Sequence, residues 1–252
     1  MIGADTYAAD PSLRAKLRRR VVRLLRRRPA RLSLQRPMVS FTFDDAPATA
    51  ADLGGRILAS HGVFGTFYVS ASLAGERGPM GRYASARELM AAASAGHELG
   101  CHTFSHLDCG QAGPHDIEAD VERNLASLKA WGAGAPTTFA YPYGDVSRSA
   151  KRVLEPRFKL LRALHAGLIE TGADLNQAPS VGIEGPCAEE QAHRWLQRAR
   201  TRKAWIILNT HDVADRPSPW GCTPQALDGL VKAAIEGGME VVSVAEGARR
   251  LV

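Results

Sequence analysis

From Met38 onward, short apolar runs alternate with stretches whose apolar residues recur every three or four positions. The runs predict strands at Met38–Phe43, Gly65–Ser70, Glu98–Cys101, Thr137–Ala140 and Trp205–Asn209, with shorter ones at Phe158–Leu161, Ser180–Ile183 and Glu240–Val244. Helical spacing occupies 49–60, 85–95, 115–131, 188–202, 224–236 and 245–251. Strand–helix alternation of this kind implies a parallel sheet, here curled into a (β/α) barrel of about seven parallel strands. Ahead of it, Leu13, Leu17, Val21 and Leu24 stand at helical spacing among arginines, and Pro29 and Pro37 bracket a linker. The division expected is a basic amphipathic arm over 1–37 and a barrel domain over 38–252.

Charge sharpens that division. Residues 1–36 hold eleven basic and two acidic residues, whereas 37–252 hold 21 basic and 24 acidic. The high isoelectric point therefore belongs to the arm, and the acidic body argues against a nucleic-acid binder. The arm over 12–31 reads either as a solvated charge run or as a peripheral contact with anionic membrane. No apolar run approaches the length of a membrane span. The four cysteines form no Cys-x-x-Cys pair, and the N-terminus has no uninterrupted apolar signal region. A cytoplasmic, membrane-peripheral location is expected, with reduced thiols.

The chemistry gathers at predicted strand ends. Asp44, Asp45, His102, Tyr143, His211 and Asp212 each follow a strand, and in a βα barrel those ends share one face. Asp44 and Asp45 cannot both stay charged and buried without a cation or a shifted pKa. Taken alone, the pair reads equally well as a turn in which Asp45 caps the next helix. His102 and His106 are four apart, so a helical turn would bring them to one side. One carboxylate and two imidazoles leave a position open on Zn²⁺.

These segments resemble the polysaccharide deacetylases, the NodB-homology family of metal-dependent hydrolases acting on acylated sugars. Phe41-Thr-Phe-Asp-Asp45 is similar to the first motif, and Gly96-His-Glu-Leu-Gly-Cys-His-Thr103 through His106 to the second. Phe139-Ala-Tyr-Pro-Tyr-Gly-Asp145 resembles the third, with Ala140 where the family places an arginine that pairs with the base. Leu208-Asn-Thr-His211 resembles the last; the fourth motif, an Asp and a Trp, has only Ile183-Glu184 in its region. The resemblance implies a distorted NodB-type barrel with Asp45, His102 and His106 on a divalent metal, most simply Zn²⁺. It implies Asp44 as base, the Tyr143 backbone N–H at the oxyanion and His211 as acid. Tyr141, Pro142 and Trp220 are the residues expected to touch substrate, and Arg148 or Arg216 to orient Asp44. The implied reaction removes an N-acyl group, foremost N-acetyl, from an amino sugar or saccharide. The rivals are a deformylase of a lipid-linked amino sugar and a non-catalytic sugar-binding descendant.

Overall fold

The computed structural model describes residues 20–185 and 187–251. Its strands are β1 (Met38–Asp44), β2 (Thr66–Val69), β3 (Arg77–Gly78), β4 (Gly81–Arg82), β5 (Glu98–Cys101), β6 (Thr138–Ala140), β7 (Leu160–Arg162), β8 (Val181–Gly182), β9 (Trp205–Thr210) and β10 (Glu240–Val241). Seven run parallel in the order β7-β6-β5-β2-β1-β9-β8, and β10 pairs with the first residues of β1. β3 and β4 form a separate antiparallel ribbon. The expected parallel barrel is the fold observed.

The barrel closes through an irregular segment rather than a full strand. Leu161 N–H donates to Leu175 O, and Ala178 N–H to Leu161 O, so residues 175–178 ride beside β7. The same stretch then continues into β8, which pairs with β9. Phe158–Leu161 and Ser180–Ile183, the shorter predicted strands, are short in the structure as well, at Leu160–Arg162 and Val181–Gly182.

Alternation along β1 shows how the strands are used. Val39, Phe41 and Phe43 join Leu58, Leu89, Leu128, Leu227 and Leu230 in the main core between sheet and helices. Ser40, Thr42 and Asp44, two residues apart on the other face, are equally buried. The apolar residues of that first face, repeating every second position, are what make the strand legible in sequence. The helices are α1 (Gly55–Ser60, entered through a π-type turn at Ala50–Gly54), α2 (Ala86–Ser94), α3 (Pro114–Ala130), α4 (Arg148–Leu154), α5 (Ala188–Arg202), α6 (Pro224–Glu236) and α7 (Val244–Arg249). Their starts are written locally. Ser85 and Glu88 form a capping box, Ser147, Thr223 and Ser243 accept from the first turn of the helices that follow them, and prolines open α3 and α6.

No helix separates β7 from β8, and the arm covers that gap. Leu13 and Leu17 lie outside the described residues. Helical structure ends at residue 22 instead of running to 28, and the chain then turns. Val22 is buried with Ile117, Val121, Ala150, Leu154 and Leu161. The Lys151 ammonium, wholly buried, donates to Val22 O (2.9 Å) and Leu25 O (3.2 Å) and pairs with Asp174 (2.8 Å). Arg28 donates to the carbonyls of Glu155, Phe158 and Lys159, and Pro29 bridges Asp174. No helix among the described residues is long and apolar enough to cross a membrane.

Candidate active site

The C-terminal ends of β1, β5, β6, β7 and β9 converge on one mouth, and the backbone there is strained. Asp45, Ala46, Thr103, His106 and Tyr143 all take φ between 49° and 63°. They make up five of the eight described non-glycine residues with positive φ, a conformation that costs of order 1 kcal/mol each and persists where the surroundings enforce it. The enforcement is visible. Buried Asp120 of α3 accepts from Phe104 N–H, Ser105 N–H and the Ser105 hydroxyl, pinning the loop between the two histidines. His102 and His106 are therefore brought together by this pinned loop, not by the helical turn their spacing predicts.

His106 Nε2 lies 3.4 Å and His102 Nε2 3.7 Å from Asp45 Oδ1, and the three ligand atoms fall within 4.8 Å of one another. Ligands on one tetrahedral Zn²⁺ stand about 3.4 Å apart, given metal–ligand bonds of about 2.0–2.1 Å. Asp45 Oδ1 is buried with no hydrogen-bond partner, which a cation would supply. His102 Nδ1 faces Ala140 O at 2.8 Å, so its Nε2 is the nitrogen left to bind metal. Burial, reinforced by His106, lowers the His102 pKa to about 4 and keeps it neutral, the form a ligand needs. The donor set fits a divalent ion.

Asp44 is buried beside this cluster, and Arg162 supplies its partner, an Nη2 hydrogen bond to Oδ1 from a guanidinium wholly out of water. Burial pushes the Asp44 carboxyl up, but Arg162, His102 and His211 outweigh it and hold the group below its usual value. The expected partners Arg148 and Arg216 are both exposed, and neither makes this bond. Arg162 stands directly opposite Ala140 in the β6–β7 register. Arg162 thus reaches Asp44 from the strand next to the one that carries Ala140.

His211 sits opposite. Its Nδ1 approaches Trp220 O at 3.2 Å and the Glu184 carboxylate at 3.9 Å. Burial raises the Glu184 pKa, and His211 opposes that shift. Glu184 thus occupies the neighbourhood where an acid of the fourth motif was sought. Asp212 turns away to bind Ser218 and shape the 212–222 loop. Tyr143 is 40% exposed at the mouth, its ring edge-on to His106. Tyr141 and Pro142 do not fit the substrate contacts expected of them. Both are buried, and Tyr141 packs on Phe139 with its hydroxyl donating to Asn176 O. A residue pointing outward from β6 toward α4 cannot reach the mouth. Trp220 is half-buried beside His211. A cavity of about 700 Å³, lined by Ile183, Cys187, His193, Pro217, Gly221 and Cys222, lies behind Glu184 and Trp220, and no residue of the metal cluster lines it. Cys101 is no ligand; it is buried in the outer layer against Asn124, and burial raises its thiol pKa to about 12. His97 is structural, accepting from Gly65 N–H.

Residues 32–156 match the family model described as polysaccharide deacetylase. Among solved structures, a family 4 acetyl xylan esterase from Clostridium thermocellum in complex with a cobalt ion is similar at 22% identity and TM-score 0.60, over 83% of this chain and 89% of that one. A protein from Mycobacterium smegmatis named for the polysaccharide deacetylases gives 18% identity and TM-score 0.67, over 89% and 94%. A CE4 family pseudoenzyme from Bacillus anthracis gives 17% and 0.59, over 88% and 70%. Those identities speak for the fold. The matched segment, 125 of the 252 residues, is what likens this chain to the polysaccharide deacetylase family.

Proposed function

We propose that the chain hydrolyses the N-acyl group, foremost N-acetyl, of an amino sugar within a saccharide, with a divalent metal, most simply Zn²⁺, held by Asp45, His102 and His106. The reading extends to a catalytic domain over 38–252 with 1–37 as its arm. The observation that carries it is a pre-gathered ligand set, with His102 held neutral, lying against a carboxylate kept anionic by a buried arginine. A metal in that position supplies Lewis-acid polarisation of the acyl carbonyl and lowers the pKa of water.

The chain's own groups do the rest. Asp44 accepts the proton of the attacking water, and Arg162 keeps its carboxylate oriented and charged until then. The Tyr143 N–H, presented by a backbone held at φ 59°, donates to the oxyanion. His211 protonates the departing amine, with Trp220 O and Glu184 fixing its ring. Trp220 offers an apolar face to a sugar ring. The same groups would serve a deformylase acting on a lipid-linked amino sugar. Pseudoenzymes share the fold, but the presence here of both acids, both ligand histidines and His211 favours a working enzyme. Peripheral contact of the arm with anionic membrane, on the cytoplasmic side, belongs to this reading too.

The test separates the two acids. Asp44→Asn should keep bound metal while kcat on an acetylated amino-sugar oligomer falls about 10²–10⁴-fold. Asp45→Asn should lose metal first, measured by elemental analysis after dialysis. Near-normal turnover in Asp44→Asn would end the proposal.

A further inference from the structure

The arm divides its residues between two jobs. Val22, Ala30 and the Arg28 side chain hold it to the barrel, through the buried contacts described above. Val21 and Leu24, the expected apolar stripe, instead face outward, 43% and 75% exposed. Leu24 is the most exposed large apolar side chain described. Exposed Arg20 and Arg23 flank the pair in sequence, exposed Arg27 follows with its guanidinium also donating to Gly172 O, and residues 20–37 contain seven arginines and no acid.

This edge also lies near the mouth. His165, on the loop leaving β7, has its pKa lowered to about 4 by burial first and then by the Arg23 charge. Its neighbour Leu164, 39% exposed, packs against Gly144 beside Tyr143.

We infer that Val21 and Leu24, with Arg20, Arg23 and Arg27, form a docking edge for an anionic lipid bilayer, which sets the mouth of the site beside the headgroups. Apolar side chains projecting from a basic strip are the pattern of an interfacial contact, where insertion and charge add. A second copy of this face would bring two basic strips together. A nucleic acid would satisfy the arginines but give Leu24 nothing to bury against. The inference deepens the functional reading above, and vesicle binding is measured apart from catalysis so that either can fail without the other.

The test is co-sedimentation of the full chain with phosphatidylcholine vesicles, with and without phosphatidylglycerol, at low salt. Binding is expected only with phosphatidylglycerol. The double variant Val21→Ser/Leu24→Ser should bind at least about tenfold more weakly, about 1.4 kcal/mol, and Arg20→Gln/Arg23→Gln/Arg27→Gln should not sediment. Failure of the wild type to bind, or undiminished binding by the serine variant, overturns the inference. So does loss of vesicle binding to equimolar single-stranded DNA, which would reassign the edge to polyanions. Turnover of a soluble acetylated oligosaccharide without vesicles, measured on the same preparations, reports on the catalytic reading separately.

Discussion

Arg162 shows what a single residue does when its surroundings are dry. Its guanidinium and the Asp44 carboxylate share the barrel interior, where neither charge is tolerated alone. Arg162→Ala should therefore cost about 3–5 kcal/mol in urea unfolding, because it strands a buried carboxylate. It should also lower kcat while leaving metal content intact. Ala140→Arg combined with Arg162→Ala returns a guanidinium to the same space from the adjacent strand and should recover part of both losses. Unchanged stability and turnover in Arg162→Ala would show that Asp44 needs no partner. The acids and histidines were legible in sequence because each follows an apolar run. Arg162 was not, because its nearness to Ala140 depends on how β7 registers against β6, and the 21 intervening residues do not encode that locally.

At the scale of elements, strands and helices were legible within a few residues wherever burial imposed a period. The loops were not. The His102–His106 loop owes its shape to Asp120 on a helix that comes later in the chain, and residues 175–178 run beside β7 as an irregular segment through Ala178's bridge to Arg162. Glycine gives one checkable case. Tyr68 and Gly100 are register partners in β2 and β5, and a Cβ on Gly100 would stand 2.5 Å from the Tyr68 ring. The ring fills the room that the missing side chain leaves, and the Arg162 guanidinium carbon sits 5.1 Å from its centroid. Gly100→Ala should thus destabilise the barrel by about 1–3 kcal/mol through overpacking. It should also lower kcat more than it raises KM, since the disturbance passes through Arg162 to Asp44. A variant with full stability and turnover would mean that the ring can move freely.

The whole molecule is a barrel that borrows one of its walls from the start of the chain. The arginine content of the arm was plain from sequence, but its seat on the barrel was not, since the residues that grip it lie 120 or more positions away. Lys151→Ala should loosen it, leaving Asp174 without its cation at a cost of about 3–5 kcal/mol. Trypsin should then cut after Arg23, Arg26 and Arg27 faster than in the wild type, and equal digestion rates would show that the arm is held by other contacts.

The borrowed wall also bears on the order in which the protein can be made. Val22 is synthesised 129 residues before Lys151, and Arg27 145 residues before Gly172, each of which it contacts. At about 5–20 residues per second, the arm waits about 6 to 30 seconds for its seat to emerge. Throughout that interval a basic, partly apolar segment has left the ribosome with no fold to join. The last closure of the barrel is then a long-range event, of the kind that slows folding and leaves edges open to the wrong partner.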